Sequence, residues 1–326
     1  MGFRRAAARR RGYASPVTTH DQRRLLLDTA SMYFRAFFGV PDSFKAPGGT
    51  PVNAVRGLLD FITRLVTDYR PTELACCWDE DWRPGWRVDL IPSYKAHRVE
   101  VLGKGAPDIE EVPDALEAQV PVIREVLDAF GIAVVGAPGF EADDVIGTLA
   151  TTAKAPVDVV TGDRDLFQLV DDTDQVRVLY IARGVGRHER VTGSVVRAKY
   201  GVDAGQYADF AALRGDPSDG LPGVPGIGEK TAAGLLGKYG DLAGIVAAAE
   251  DPGSDLAPAA RRRIKDAADY LAVAPKVVAV ARDIDLGDPD LTLPRTPKDP
   301  GLVVELAERW GLNSPAARLV EALTNR

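Results

Sequence analysis

Histidine and cysteine are scarce in this chain. Its 326 residues include three histidines and two cysteines, and the cysteines are the neighbours Cys76 and Cys77. Adjacent residues of an extended strand point to opposite faces of a sheet, so these thiols exclude a disulfide framework. The sequence therefore predicts a protein of a reducing compartment, the cytoplasm.

Long apolar runs are also missing. No run approaches the roughly 18 residues of a membrane span. The Arg-rich start, MGFRRAAARRRGYASPVTTH, lacks the apolar core of a signal peptide. We therefore expect no membrane association. We expect residues 1–22 to be a disordered basic leader or the product of an over-extended start codon, with a nucleic-acid-binding arm as the alternative.

The middle of the chain alternates two apolar patterns. Short runs at 23–30, 72–79, 131–136, 157–163 and 176–181 predict strands, and the segments 51–69, 115–130 and 139–153 have helical spacing. This order predicts an α/β fold with a central, mostly parallel sheet covered by helices on both faces. From about residue 192 to 290 we expect a mainly helical unit, and from 291 to 326 a helical tail docked on the first domain.

Three of the predicted strands end in an aspartate: Asp28, Asp79 and Asp163. Each one, taken alone, has the usual alternative of a turn residue or a helix N-cap. The carboxyl ends of parallel strands, however, form the ligand-binding edge of such sheets. We therefore expect these carboxylates to lie close together.

Further acids belong to segments that the same topology brings to this edge. The nine candidates are Asp28, Asp79, Glu141, Asp143, Asp144, Asp163, Asp165, Asp216 and Asp219. Hard oxygen donors without cysteine or histidine favour Mg²⁺ or Mn²⁺ over zinc. With more carboxylates than one ion uses, two or more ions are expected, an arrangement suited to in-line attack on phosphate. Without these nine charges the net charge of −7 becomes +2, so the rest of the chain is mildly basic.

Two segments have residues that suit nucleic-acid phosphates. LPGVPGIGEKTA, residues 221–232, predicts a hairpin that leads into a helix N-terminus, although such a loop is often only a turn. It is not a P-loop, because the GxxxxGK[ST] spacing is absent. Residues 81–105 mix aromatic and basic side chains, as single-strand binding requires, with a solvated loop as the alternative. The candidate DNA contacts are Arg83, Arg87, Tyr94, Lys104, Gly223, Gly226, Gly228, Lys230, Thr231 and Lys238.

Five motifs occur in a specific order: LLLDTASMYFRAF, ACCWDEDWRPGWRVDLIPSYKAHR, GFEADDVIGTLA, VVTGDRDLFQLV and GDPSDGLPGVPGIGEKTAAGLL. From about residue 24 to 290 the chain resembles the 5′ nuclease (flap endonuclease) family, including the 5′-to-3′ exonuclease domain of bacterial DNA polymerase I. The resemblance implies a PIN-like nuclease domain over 23–191, with an arch at about 81–112. It also implies a helix-three-turn-helix duplex-binding unit over 192–290.

The resemblance assigns roles to particular residues. It places Asp28, Asp79, Glu141 and Asp143 in a first metal group, with Asp144 in its outer part. Asp163, Asp165, Asp216 and Asp219 match a second group. Lys95 and Arg98 match the catalytic basic residues of the arch. The hairpin GVPGIGEKT matches one that binds duplex phosphates, with K⁺ held by backbone carbonyls as a further expectation.

The implied function is a metal-dependent, structure-specific DNA nuclease with 5′-to-3′ exonuclease and 5′-flap endonuclease activity in replication and repair. Its expected partners are DNA with 5′ flaps or 5′ ends at junctions, and a replication or repair polymerase or ligase. Because few residues follow position 290, we expect a stand-alone nuclease without a polymerase domain. Two alternatives stay open: a PIN-type ribonuclease and a non-catalytic junction-binding protein that uses metals for affinity alone.

Overall fold

A six-stranded sheet forms the centre of the structure, a computed structural model that describes residues 22–101 and 108–326. The strand order is β5-β2-β1-β6-β7-β8, and every pair is parallel except β7 with β8. A separate hairpin pairs β3 with β4. The strands are β1 Arg24–Asp28, β2 Glu73–Cys77, β3 Val99–Val101, β4 Ile109–Glu110, β5 Ala133–Val135, β6 Val157–Thr161, β7 Val176–Tyr180 and β8 Glu189–Val191. The predicted mostly parallel sheet is confirmed.

Helices cover both faces of this sheet and form a second unit beyond it. They are α1 Thr29–Gly39, α2 Asn53–Tyr69, α3 Gly85–Leu90, α4 Asp114–Glu117, α5 Val120–Phe130, α6 Ala142–Thr151, α7 Gly193–Tyr200, α8 Tyr207–Arg214, α9 Glu229–Tyr239, α10 Leu242–Glu250, α11 Pro258–Asp266, α12 Ala268–Val278, α13 Pro300–Trp310 and α14 Asn313–Asn325. Within the described residues, no helix is long and apolar enough to cross a membrane.

The alternation of side chains along β1 explains the two layers. Leu26 points into a core shared with α6 and the helical unit, whereas Leu25 and Leu27 point into the core on the other face. All three side chains are fully buried, which stabilises the fold by roughly 1.5–3 kcal/mol for each. On the second face α13 packs on α5, and α14 packs on α2. The sheet is thereby fixed from both sides, and its carboxyl edge is held in place.

The structure shifts the ends of the predicted elements by up to three residues and divides one predicted helix. The first predicted strand ends at Asp28 as expected, and the unpredicted helix α1 starts at Thr29 because the Asp28 carboxylate accepts a hydrogen bond from the Ser31 N–H and caps it. The helix predicted over 115–130 is two helices, α4 and α5. Gln119 lies between them, and its side chain accepts a hydrogen bond from the Ala54 N–H.

Candidate active site

Five of the nine candidate acids surround one open cleft of about 1130 Å³ at the carboxyl edge of the sheet. They are Asp28 after β1, Asp79 after β2, Glu141 and Asp143 at the start of α6, and Asp163 after β6. The parallel strands β1, β2 and β6 are neighbours in the sheet, so their carboxyl ends meet here. Lys95 and Arg98 of the arch, residues 81–112, line the same cleft.

Hydrogen bonds from backbone N–H groups and one hydroxyl orient two of these carboxylates. Asp28 accepts hydrogen bonds from the Ser31 N–H at 3.0 Å and the Thr161 hydroxyl at 2.7 Å. Asp79 accepts one from the Ala142 N–H at 2.8 Å, at the first residue of α6. The structural and functional explanations of these acids are therefore compatible, because the same residues accept capping hydrogen bonds and line the cleft.

Burial disfavours the charged form of the clustered carboxylates and raises their pKa values. Burial raises the pKa of Asp28 to about 7. The hydrogen bond from Thr161 lowers this pKa in part, and repulsion from Asp79 raises it further. Burial also raises the pKa of Asp79 and, with neighbouring carboxylates, holds the pKa of Asp143 well above its usual range. Carboxylates that repel each other in this way are stabilised by a bound cation.

Of the second predicted group, Asp163 lines this cleft and the other three acids lie outside its lining. Asp165 follows Asp163, whose Oδ1 accepts the Asp165 N–H at 2.8 Å. Burial raises the pKa of Asp165 well above its usual range and also raises that of Asp219. Asp216 differs. Burial opposes its charge, but hydrogen bonds from Ser218 and the charge of Arg214 outweigh this and lower its pKa.

A buried ionic network holds the start of α6. The Arg87 guanidinium donates to Asp144 Oδ1 and Oδ2 at 2.7 Å each and to Glu141 Oε2 at 2.5 Å. The Tyr94 hydroxyl donates to the same Glu141 oxygen at 2.6 Å, and Lys95 pairs with the other one. Asp144 is fully buried and also accepts the Ala281 N–H at 2.8 Å. Asp144 is thereby committed to the scaffold, outside the cleft lining.

Three predicted DNA contacts in the arch require correction. Arg83, Arg87 and Tyr94 are 6%, 2% and 4% exposed, and each is bonded to protein groups. Arg83 pairs with Asp108 and donates to the backbone oxygens of Tyr94 and Pro92. Because these side chains are almost completely buried and bonded to protein groups, they position the arch and are not available to DNA in this arrangement. The predicted contact Lys104 lies outside the described residues.

The base of the arch is docked on the loop that carries Asp219. The Lys95 N–H donates to the Asp219 backbone oxygen at 2.9 Å, and the Ser93 hydroxyl donates to the Gly220 oxygen at 2.7 Å. Arg98 donates to the Ser218 oxygen at 2.7 Å and pairs with the Asp219 carboxylate at 3.1 Å. Lys95 itself is in the left-handed region with φ 48°. Burial opposes its charge, but Glu141, Tyr94 and Asp219 outweigh it and raise the pKa of Lys95 well above its usual range.

The glycine-rich hairpin stands next to that loop. Gly223 has φ +67°, and a Cβ there would lie 2.4 Å from the Gly215 nitrogen, so the close approach requires glycine. At Gly226, the Arg263 guanidinium donates to the backbone oxygen at 3.0 Å. Gly228 precedes α9. Lys230 and Thr231, in its first turn, are exposed, and the exposed Lys238 pairs with Asp255. The hairpin therefore presents a helix N-terminus and a lysine to solvent.

Several groups in the cleft were missed by the sequence analysis. Glu110 lines it from β4, and burial raises its pKa. Thr161, the last residue of β6, lies beside the cleft lining and donates to Asp28; a hydroxyl at a strand end near an aspartate is a signal for such a hydrogen bond. Arg35, on α1, also lines the cleft. Glu110 lies in none of the five motifs, and Arg35 lies in the first one without a predicted role, because their places in the cleft depend on tertiary packing.

The chemistry of the donor set fits hard divalent cations. The Oδ1 atom of Asp165 is buried and has no hydrogen-bond partner, so it is available to a cation. In the described part of the chain, no three His, Cys, Asp or Glu side chains are already gathered closely enough to hold one ion. Glu141, Asp216 and Asp219 are instead turned to arginine or lysine partners. The carboxylates are thus at the right edge, while their side chains are not yet arranged as a coordination shell.

The mostly parallel sheet, its acidic edge and the adjoining helical unit define a PIN-like nuclease. The family model for the 5′-3′ exonuclease N-terminal resolvase-like domain matches residues 23–201, and that for the 5′-3′ exonuclease C-terminal SAM fold matches residues 202–300. The chain belongs to the 5′-3′ exonuclease family. The predicted family, fold class and enzyme class are confirmed.

Individual relatives agree with this membership. A 5′-3′ exonuclease of Streptomyces coelicolor is 64% identical over 300 residues, 92% of this chain and 100% of the relative. A DNA polymerase I of Mycobacterium bovis is 42% identical over 279 residues, 84% of this chain and 28% of the polymerase. A pseudo-enzyme–product complex of the bacteriophage T5 flap endonuclease with DNA and metal ions has a TM-score of 0.60 at 17% identity, covering 93% of this chain and 99% of that one. This last likeness concerns the fold.

Proposed function

We propose that the protein is a structure-specific, metal-dependent DNA nuclease with 5′-to-3′ exonuclease and 5′-flap endonuclease activity. The observation that carries the proposal is one cleft in which five carboxylates face the basic arch residues Lys95 and Arg98, directly beside the hairpin unit. In the proposed reaction water adds to the phosphorus of a phosphodiester and the P–O3′ bond breaks. The released 5′ strand keeps a 3′-hydroxyl, and the duplex strand keeps a 5′-phosphate.

The acids are proposed to hold two or more Mg²⁺ or Mn²⁺ ions. Asp28, Asp79, Glu141 and Asp143 would hold one, and Asp163, Asp165, Asp216 and Asp219 a second. The raised pKa values of Asp28, Asp143 and Asp165, caused first by burial, support this assignment. When bound, such ions lower the pKa of water and neutralise charge on the phosphodiester. Asp144 takes an outer role, because both of its oxygens are bonded to Arg87.

Lys95 and Arg98 are the proposed phosphate-binding catalytic residues. Lys95 Nζ contacts Glu141 and the Trp82 backbone oxygen, and the Arg98 guanidinium is held by Ser218 and Asp219. Both cations are thus fixed at the cleft before substrate arrives. Fixed charge of this kind stabilises the negative charge that develops on the transferring phosphate, because it needs no reorganisation during the reaction.

The downstream duplex is proposed to lie on the hairpin of Gly223, Gly226 and Gly228, with Lys230 and Thr231 at its phosphates. The N-terminus of α9 supports this site, because its free N–H groups favour anions. Lys238 is a weaker candidate, since Asp255 already pairs with it. K⁺ at the hairpin carbonyls also remains a proposal, and the Gly226 oxygen is already engaged by Arg263. Phosphate contacts carry no base sequence, so specificity is expected to follow DNA shape.

The biological setting is proposed along the same lines. The proposed roles are repair and the removal of primers and flaps during replication. In these roles the DNA partners are 5′ flaps or 5′ ends at junctions, and the protein partner is a polymerase or ligase. The two buried free thiols are compatible with the cytoplasmic location predicted from the sequence. For the chain itself we propose residues 23–191 as the nuclease domain, 192–290 as the duplex-binding unit and 291–326 as the tail.

The test uses a duplex with a 5′ flap labelled at the 5′ end, incubated with Mg²⁺ or Mn²⁺ and compared with EDTA. We expect release of the flap as an oligonucleotide, with mononucleotides where the exonuclease dominates. Asp163→Asn should lower the rate on the order of 100-fold or more while retaining DNA binding. Asp174→Asn, an exposed aspartate outside the cleft, is the matched control and should cleave normally.

Three results would contradict the proposal. Cleavage in EDTA at the rate seen with metal would refute metal dependence. Preference for a matched RNA flap would favour the ribonuclease alternative. Tight binding of the flap without product in either metal would favour the non-catalytic junction-binding protein.

A further inference from the structure

One wall of the cleft carries positive charge and aromatic surface instead of carboxylates. We name this the arginine–aromatic wall and define it as Phe34, Arg35 and Phe38 of α1 together with Arg183 and Arg187 of the loop after β7. All five residues line the same cleft as Asp28 and Asp163. Neither the metal groups, the arch nor the hairpin uses them.

The arginines of this wall form no direct ion pair within the part of the chain that the structure describes. Across residues 22–101 and 108–326, no carboxylate forms an ion pair with Arg35, Arg183 or Arg187. The Arg35 Nε is moreover buried and without a hydrogen-bond partner. Its guanidinium lies beside Gly162, where a Cβ would be 3.7 Å from Nη2, so it adjoins the residue that precedes Asp163. A buried donor without a partner beside the acidic centre is a group whose hydrogen bond a bound anion would satisfy.

The loop that presents the other two arginines is anchored on both sides. Val185, between them, is 1% exposed, and its backbone oxygen contacts His188 Nδ1 at 2.6 Å. His188 Nε2 in turn contacts the Tyr69 hydroxyl at 2.5 Å. Arg183 and Arg187 therefore extend into solvent from a fixed turn. A surface that holds unpaired charge in a fixed position loses little backbone entropy on binding a ligand.

The aromatic part of the wall suits an unpaired base. Phe38 is 73% exposed, the largest exposure among the large apolar side chains described. Its ring meets Phe37 edge to face at a centroid distance of 5.1 Å, which leaves the outer face of Phe38 free for stacking. Bases stack on such rings without regard to sequence.

We propose that the arginine–aromatic wall binds the phosphates and the first unpaired base of the DNA strand on the 5′ side of the scissile bond. This inference rests on the proposed function. A polyanion that enters a cleft with five carboxylates is repelled by them, and three unpaired arginines on the same cleft offset that repulsion. The phosphate could be the terminal 5′-phosphate of the strand or an internal phosphate of a longer flap, because the chemistry recognised is the same.

The experiment measures equilibrium binding of the full-length protein by fluorescence anisotropy in EDTA, over a range of salt concentrations. The probes are duplexes with a one-nucleotide 5′ flap that ends in either a phosphate or a hydroxyl, and a duplex with a long 5′-hydroxyl flap. The variants are the double substitution Arg183→Ala with Arg187→Ala, and Phe38→Ala. The control removes two exposed positive charges elsewhere, Lys298→Ala with Arg309→Ala.

We expect the arginine double variant to bind several-fold more weakly and to reduce the slope of log K against log salt by about 1.4, or 0.7 for each phosphate that an arginine no longer neutralises. If the affinity and salt slope change only with the short phosphorylated flap, the wall binds the terminal phosphate. If they change with the long hydroxyl flap, it binds internal phosphates. Either result supports DNA binding by the arginine–aromatic wall. Phe38→Ala should weaken binding without changing the slope. The control should match the wild type.

An arginine double variant with wild-type affinity and salt slope on every probe overturns the inference. So does an equal decrease in the control, because the effect would then be one of net charge. The proposed function fails through a different result. If the wild type shows the binding expected of the arginine–aromatic wall but cleaves no flap in Mg²⁺ or Mn²⁺, the proposed nuclease activity is refuted and the proposed DNA binding by the wall is not.

Discussion

Replacing Arg87 by alanine should destabilise the protein and not merely weaken its affinity for DNA. The guanidinium makes five hydrogen bonds: three to the carboxylates of Glu141 and Asp144, and two to the backbone oxygens of Val277 and Ala279. It thereby joins α3 of the arch, the start of α6 and the end of α12. With a side-chain exposure of 3%, it is shielded from solvent.

The magnitude follows from what is left behind. Asp144 is fully buried and would keep two backbone donors, the N–H groups of Ala281 and Glu141, but no compensating cation. Removing one partner of a buried ion pair costs about 3–5 kcal/mol, a large part of the roughly 5–15 kcal/mol by which a typical domain is stable. We therefore expect Arg87→Ala to lower the free energy of unfolding by about 3–5 kcal/mol.

Urea denaturation followed by circular dichroism measures this change, provided that the transition is two-state. Arg98→Ala is the matched control from the same arch. Its side chain is 34% exposed and pairs with one carboxylate, so the decrease in stability should stay below about 1 kcal/mol. An Arg87→Ala protein as stable as the wild type, with weaker DNA binding and a smaller salt slope, would refute the scaffold role and restore the DNA contact predicted from the sequence.

The remaining predictions concern the loop and the hairpin beside the acids. Gly220→Ala should lower both turnover and stability, because φ is +70° and the new Cβ would lie 2.1 Å from the Ser93 oxygen. The control is Gly237→Ala in α9. Its Cβ would meet nothing within 4 Å, so this substitution should be neutral or stabilise the protein by up to about 1 kcal/mol. Turnover with flap DNA and urea denaturation check both, and equal effects would contradict the clash. Lys230→Ala should reduce the salt slope of duplex binding by about 0.9. Lys298→Ala serves as its control, and an unchanged slope for Lys230→Ala would remove that lysine from the duplex surface.

The sheet and its acidic edge could be predicted because their signals are local. A run of apolar residues that ends in aspartate, as at Asp28, predicts both a buried strand and the position of its carboxyl end. The parallel topology then fixes which ends are neighbours, so Asp28, Asp79 and Asp163 were grouped correctly around one cleft. The helix α1 was not predicted, since its polar and aromatic residues have no clean helical period beside so strong a strand.

The arch could not be read in the same way. Arginine and tyrosine among aromatic residues are typical of a nucleic-acid surface, but the same residues serve equally well as buried partners of carboxylates. Which of the two applies to Arg87 depends on Glu141 and Asp144, more than fifty positions away along the chain. The sequence contains no local mark of that pairing. Arg35 and Glu110 escaped notice for the same reason, because only tertiary packing brings them to the cleft.

The docked loop at 216–220 also acts as a spacer of fixed length. On one side Gly220 is pressed against Ser93 at the base of the arch, and on the other Gly215 is pressed against Gly223 at the start of the hairpin, at distances that admit no side chain. An inserted or deleted residue here would have to break one of these contacts. If the duplex lies on the hairpin, the length of backbone between Gly223 and Asp219 determines the distance between the bound duplex and the acids. That distance then determines the position at which the strand is cut.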